Sequence, residues 1–158
     1  MANPARFTAA ANLGRVTIPT TSAQVKSNGV SAGNGGTDSM YKVFTAGTYD
    51  SYLEKIRFMS VASAAATTGV ATVLRAYVST VADPTAASGT TAANTFLLGE
   101  ISVGPINSSN STNMAAFFDM PIDMVIPTGS CVHVSQHVAQ NTNQNWIALA
   151  IGGDYAAA

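Results

Sequence analysis

No segment of this chain carries an apolar stripe at a helical period, while short runs rich in Val, Ile, Thr, Tyr and Phe recur between clusters of Gly, Pro, Ser and Asn. That grammar restricts the chain to an all-β fold. "MYKVFTAG" alternates Tyr41, Val43 and Thr45 against Lys42 and Phe44 and breaks at Gly47. "SYLEKIRFMSV" sets Leu53, Lys55, Arg57 and Met59 on one face and Tyr52, Glu54, Ile56, Phe58 and Ser60 on the other, with Tyr52, Ile56 and Phe58 marking the core side. "GVATVLRAYVST", bounded by Gly69 and Pro84, favours a strand through its β-branched residues. "FLLGEISVGPI" adds another, with a bulge expected at Gly99 and an end at Pro105.

Further along, "MAAFFDMPIDMVIP" reads as a strand broken near Pro121, with a second extended piece over residues 122–126. "TGS" turns the chain into "CVHVSQHV", and "AQNTNQN" turns it into "WIALAI". This last run alternates Trp146, Ala148 and Ala150 against Ile147, Leu149 and Ile151, so the Ile and Leu face is expected to pack inward as a late, central strand. About seven or eight antiparallel strands with frequent turn signals predict a single β-sandwich, jelly-roll-like, with an immunoglobulin-like strand order as the competitor. The alanine-rich stretches "SVASAAATTGVA" and "FTAAANL" allow a turn or two of helix and no more.

Residues 1–38 differ in texture. Beyond one short apolar patch at Val16 to Ile18 they are mostly small and polar, and such a segment cannot offset its own ordering entropy by burial. They read as an extended N-terminal arm with one short strand near Arg15 to Pro19, and residues 39–158 as the sandwich domain. "STVADPTAASGTTAANT" reads as a long loop. At 158 residues the chain suits one domain with a real core and needs no staples.

Charge excludes several functions. Asp, Glu, Lys and Arg make up 9% of the chain, against roughly 25% in an ordinary soluble protein. Net charge is −1, and the seven basic residues form no cluster of the kind that holds phosphates, so nucleic acid is not an expected partner. So neutral a surface suits a protein that lives inside an assembly. No run approaches the roughly 20 apolar residues of a membrane span, and "MANPARFTAA" lacks the order of a secretory signal, so synthesis in a cytoplasm without membrane insertion is expected.

Few residues invite a chemical reading. Cys131, the single cysteine, alternates with His133 and Ser135; a Cys–His couple could serve a nucleophile, but a small buried thiol is the expectation. His133 and His137 have the spacing of two zinc ligands on a helix, with Val134 where the general base would stand. Asp119 and Asp123 flank "MPI", while Glu54, Glu100 and Asp154 stand alone, and acids beside Pro are common turn residues. "GNGGTDS", with Gly33, Gly35 and Gly36, lacks the Lys of a phosphate loop, and no G-x-S-x-G elbow occurs. Asn107 and Asn110 match the glycosylation acceptor pattern but read as polar turns in the absence of a signal. Asp154, behind Gly152 and Gly153, is expected to accept hydrogen bonds from nearby amides or to meet Arg57. No catalytic, cofactor-binding or metal-binding residue is assigned, and the chain is not read as an enzyme.

The opening "MANPARF", the stretch "SYLEKIRFMSVASAAATTGVATVLRAYV" and the segment "PIDMVIPTGSCVHVSQHVAQNTNQNWIALAIGGDY" together resemble a group of small virion structural proteins of tailed bacteriophages, some of them similar to capsid cement or decoration proteins. The likeness is one of overall order: an arm, a basic strand rich in Ile, a "VIPTG" turn before a small-residue strand, and "GGD" followed by an aromatic. It implies a β-sandwich on the outside of a phage shell, often a homotrimer, whose partner is the major capsid protein and which stabilises contacts between capsid subunits. It implies no catalytic residues. A tail or head-fibre component and a carbohydrate-binding β-sandwich module are the alternatives, the latter requiring aromatics on an exposed face.

Overall fold

A computed structural model of the chain describes residues 11–21, 23, 39–62, 67–80, 94–108 and 116–156. The strands are β1 (Ala11–Ile18), β2 (Tyr41–Thr45), β3 (Ser51–Ala62), β4 (Thr67–Thr68), β5 (Thr72–Ser79), β6 (Thr95–Val103), β7 (Asn107–Ser108), β8 (Phe117–Ile126), β9 (Cys131–Gln136) and β10 (Gln144–Asp154). Eight of them form two four-stranded sheets, β1-β10-β3-β8 and β2-β9-β5-β6, and β4 with β7 makes a short separate ladder. Every ladder is antiparallel, as expected. Leaving out the short ladder, the first strand pairs with the last, the second with the next to last, and so inward, a nesting that suits a jelly-roll-like sandwich.

The core fills the space between the sheets. From the first sheet come Ile18, Ile56, Phe58, Met120, Trp146, Ala148 and Ala150; from the second come Phe44, Leu74, Ala76, Val132 and Val134. Full burial of one such Ile, Leu or Phe contributes about 1.5–3 kcal/mol. Ala148 lies directly opposite Phe58, which in turn opposes Phe118, and Ala150 lies opposite Ile56. The expected orientation of β10 is therefore reversed: Trp146 and the alanines face inward, and Ile147, Leu149 and Ile151 face outward. The reason is volume. A core between two sheets about 10 Å apart already holds Phe58, Phe118, Ile56 and Met120 from β3 and β8, so the β10 neighbours of Phe58 and Ile56 are small.

Extra residues reset the alternation at two other places. In β2, Lys42 pairs with His133 and Phe44 with Val132, so Val43 is a bulge; Val43 and Phe44 are both buried, and Thr45 turns outward. Between β3 and β8 the register passes from Leu53–Met124 to Lys55–Pro121, leaving Glu54, Ile122 and Asp123 out of step. Leu53 thereby points inward and Tyr52 outward, while Ile56, Phe58 and Ser60 keep the expected face. The strand expected to break at Pro121 is continuous, because β8 is a margin strand in which a missing N–H can face away from the ladder. The bulge expected at Gly99 is present: Ala76 pairs with Gly99 and Tyr77 with Leu97, leaving Leu98 unmatched.

Part of the expected arm belongs to the sheet. Ala11–Ile18 pairs with β10 along its length, and Ile18 is fully buried. The strand thus starts earlier than the expected Arg15 to Pro19. The rest of the arm call, residues 1–10, 22 and 24–38, lies outside the described residues, as does most of the expected loop from Ser79 to Thr95. The β1 and β2 margins close one side of the sandwich. A Cβ built on Gly14 would lie 1.6 Å from the carbonyl oxygen of Val43, so only a glycine lets the two backbones approach so closely. Nearby, Asn12 Nδ2 donates to the Thr45 carbonyl at 3.1 Å.

Candidate interaction surface

The outward side of the first sheet is a regular grid. Its middle row runs Arg15, Leu149, Arg57, Asp119 across the four strands. On one side of it lies Thr17, Ile147, Met59, Phe117, and on the other Leu13, Ile151, Lys55, Pro121. The two central columns are half-buried by their neighbours, while Leu13 and Phe117 on the margins are exposed. Lys55 and Arg57 extend apolar stems along this face and carry their charges to its β8 side.

Charge on the face is divided between its margins. Asp119, on β8, accepts from Arg57 Nε at 2.6 Å and Nη2 at 2.8 Å, a bidentate pair, with Lys55 Nζ at 3.4 Å. The Arg57 guanidinium holds the Asp119 carboxyl down at about 2. Arg57 also lies over the Phe117 ring, 5.5 Å from its centroid. Arg15, at the β1 margin in the same row, has no acidic partner among the described residues. Asp154, expected to meet Arg57 or backbone amides, does neither. It accepts from Ser51 Oγ at 2.5 Å and Asn12 Nδ2 at 2.6 Å, and Ser51 Oγ in turn accepts from the Gly47 N–H at 2.8 Å. The carboxylate thus ties the end of β10 to β1, to β3 and to the turn after β2, a structural role.

The residues that invited catalytic readings are buried or separately engaged. Cys131, His133 and Ser135 alternate on the outward side of β9 beside Arg75, Tyr77 and Ser79 of β5, and all six are less than a tenth exposed. Burial pushes the Tyr77 hydroxyl pKa up. The Cys131 thiol lies 3.8 Å from Thr45 Oγ1, in keeping with the small buried thiol expected of it. His137 falls past the end of β9 with Nδ1 3.3 Å from Arg75 Nη1, and Arg75 Nε donates to Glu100 at 3.2 Å. Four positions along an extended chain span roughly 13 Å, so His133 and His137 are too far apart to share one ion even where they face the same way. Among the described residues no three His, Cys, Asp or Glu side chains gather as metal ligands. Asp123, at φ 48°, accepts from the Tyr52 hydroxyl at 3.0 Å, so Asp119 and Asp123 serve different partners. Glu54 contacts Lys55 at 3.5 Å. Asn107 sits in β7; Asn110, Gly33, Gly35 and Gly36 lie outside the described residues.

Two further features are exposed. Between the β6 and β8 margins, Val78, Phe96, Met124, Val125 and Pro127 line an open groove of about 320 Å³. Phe96 is 60% exposed, with Leu97, Met124 and Val125 also open to solvent. At one end of the sandwich, Tyr49 is exposed and Tyr52 and Tyr155 are half-buried, near the register pair Asp154–Ser51. Trp146 is in the core, its ring edge-on to Phe118 at 6.0 Å, and so is no platform for a sugar. Sequence reasoning missed the outward grid because it assigned the larger apolar set of β10 to the core. The available signal was "ALA" opposite "IRF", small residues facing large ones in paired strands. No protein-family model, curated protein or solved structure matches the chain.

Proposed function

We propose that this chain is a structural protein of a tailed-phage particle, a cement or decoration protein that binds the outside of the shell and stabilises contacts between major capsid protein subunits, acting as a homotrimer. The observation that carries the reading is the exposed apolar margin of Phe96, Met124 and Val125 around an uncharged groove. Large apolar side chains gathered at one margin mark a protein-binding surface, and a chain with 9% charged residues packs into a dense repeat without self-repulsion. The polar groups of the fold support it too: Asp154, Asp119 and Arg75 are spent on ties between strands. In this reading the protein is made in the host cytoplasm, ends on the capsid surface, and needs no cofactor, nucleic acid or membrane.

The test is the copy number of this chain in purified virions, by quantitative mass spectrometry against the major capsid protein. A ratio near one to one is the expected result. A few copies per particle would move it to the tail or a head fibre, and absence from the particle would overturn the reading. A carbohydrate-binding module is the second reading, favoured by the three tyrosines at one end of the sandwich, and saturable binding to a glycan array lost on Tyr49→Ala would support it.

A further inference from the structure

We infer that the seam where the β1 margin meets the β2 margin is a docking site for an acidic, extended segment of a partner protein, held by Arg15 and Lys42. The inference goes beyond the proposed function and does not rest on it, because the seam lies across the sandwich from the apolar groove between the β6 and β8 margins and is of opposite character.

Most charge in this chain is compensated within it. Lys55 and Arg57 meet Asp119, and Arg75 meets Glu100. Among the described residues, Arg15 and Lys42 are the two cations with no carboxylate partner. Both are exposed, and both line one open groove of about 260 Å³ formed by residues 12–15 of β1 and 42–45 of β2. In a chain of net charge −1, they make a local positive field, which physiological salt confines to about 8 Å. Such a field selects a negative partner.

The form of the seam selects a chain segment. Arg15 points outward from the first sheet and Lys42 outward from the second, so one cation flanks each side. β1 and β2 come closest at Gly14 and Val43 yet form no ladder, so neither margin has a strand partner on this side. Four extended residues span roughly 13 Å, the length of margin that each strand contributes, and alternate side chains of such a segment face the same way. Carboxylates two positions apart therefore reach Arg15 and Lys42 together. Arg15 offers the planar fork that a carboxylate accepts bidentately, and Leu13, 62% exposed, supplies apolar contact beside it. Asp154, bound to Asn12 at 2.6 Å, repels anions from the other end of the seam, so the acidic residues of the partner are set toward Arg15. Two cations are too few to hold a nucleic acid, whose affinity grows with the number of phosphates neutralised.

The test follows the amide resonances of the full chain, labelled with nitrogen-15, against three probes: a terminally blocked peptide of alternating glutamate and threonine, its counterpart with glutamine in place of glutamate, and inorganic phosphate. The acidic peptide is expected to shift the amides of residues 12–15 and 42–45 saturably, in the low millimolar range that exposed ion pairs support. Raising sodium chloride from about 50 to about 200 mM is expected to weaken it about threefold. Arg15→Gln combined with Lys42→Gln, two exposed changes that leave the core untouched, is expected to weaken binding at least tenfold with an unchanged far-ultraviolet circular dichroism spectrum and Tm. Equal binding of the glutamine peptide, shifts centred on Arg57 or Arg75 instead, an unchanged affinity in the double variant, or no shift up to about 10 mM peptide would overturn the inference. So would phosphate that shifts the same amides as tightly as the peptide, because the seam would then be a site for a small anion. Absence of the chain from virions would remove the shell reading and leave the seam standing.

Discussion

Replacing Gly14 by alanine adds one methyl group at the point where β1 crosses the β2 bulge. The added carbon would lie 1.6 Å from Val43 O and 2.7 Å from Val43 C. Ordinary contact needs more than 3 Å, so the two margins must separate by well over 1 Å, and both obstacles are backbone held in ladders to β10 and β9. Overpacking of a rigid site costs about 1–3 kcal/mol, and backbone on both sides puts Gly14→Ala at the top of that range, about 3 kcal/mol. For a domain of this size that corresponds to a fall in Tm of about 6–12 °C. The same substitution at Gly104, where an added Cβ meets nothing within 4 Å, is expected to stabilise by about 0.4–1 kcal/mol through the unfolded chain. Urea denaturation of the two variants against wild type separates packing from chain entropy, since both make one chemical change. A Gly14→Ala variant within about 0.5 kcal/mol of wild type would refute the close approach of β1 and β2.

Substitutions at two other sites probe the polar ties. Asp154→Ala leaves the fully buried Ser51 hydroxyl without its acceptor and the Asn12 amide with the Thr45 carbonyl in place of two acceptors, and is expected to cost about 2 kcal/mol in urea denaturation, whereas Asp154→Asn, which keeps an oxygen in place, is expected to cost less than half of that. Asp119 is expected to titrate at about 2 when its carboxyl resonance is followed by NMR, and Arg57→Gln is expected to return it toward the unfolded value, near 3.9. Because the folded value lies below the unfolded one, the tie stabilises fully above about pH 4 and is lost as pH falls through about 2.

Much of the fold was legible because strand identity is a local property. β2, β3, β5, β6, β9 and β10 announce themselves through β-branched runs and turn residues, and the bulge at Gly99 through a glycine inside a strand pattern. What was not legible depends on distant residues. The facing of β10 is set by Phe58 and Phe118 on two other strands, so its own alternation pointed the wrong way. The facing of Tyr52 depends on a register shift against β8. Asp154 was expected near Arg57, yet its partners are Ser51, 103 positions away, and Asn12, 142 positions away. The surface grid could be read only after the pairings were known, since Arg15 and Asp119 share a row solely through Leu149 and Arg57.

The pairing of β1 with β10 also orders events during synthesis. Ala11 meets Gly153 and Ile18 meets Trp146, so the earliest strand waits on the ribosome without its neighbour until almost the whole domain has been translated. At about 5–20 residues per second that interval lasts roughly 7–30 s, during which the first sheet lacks its margin and Arg15 has no row to stand in. A nascent chain therefore cannot display the outward grid until its last strand has docked beside its first.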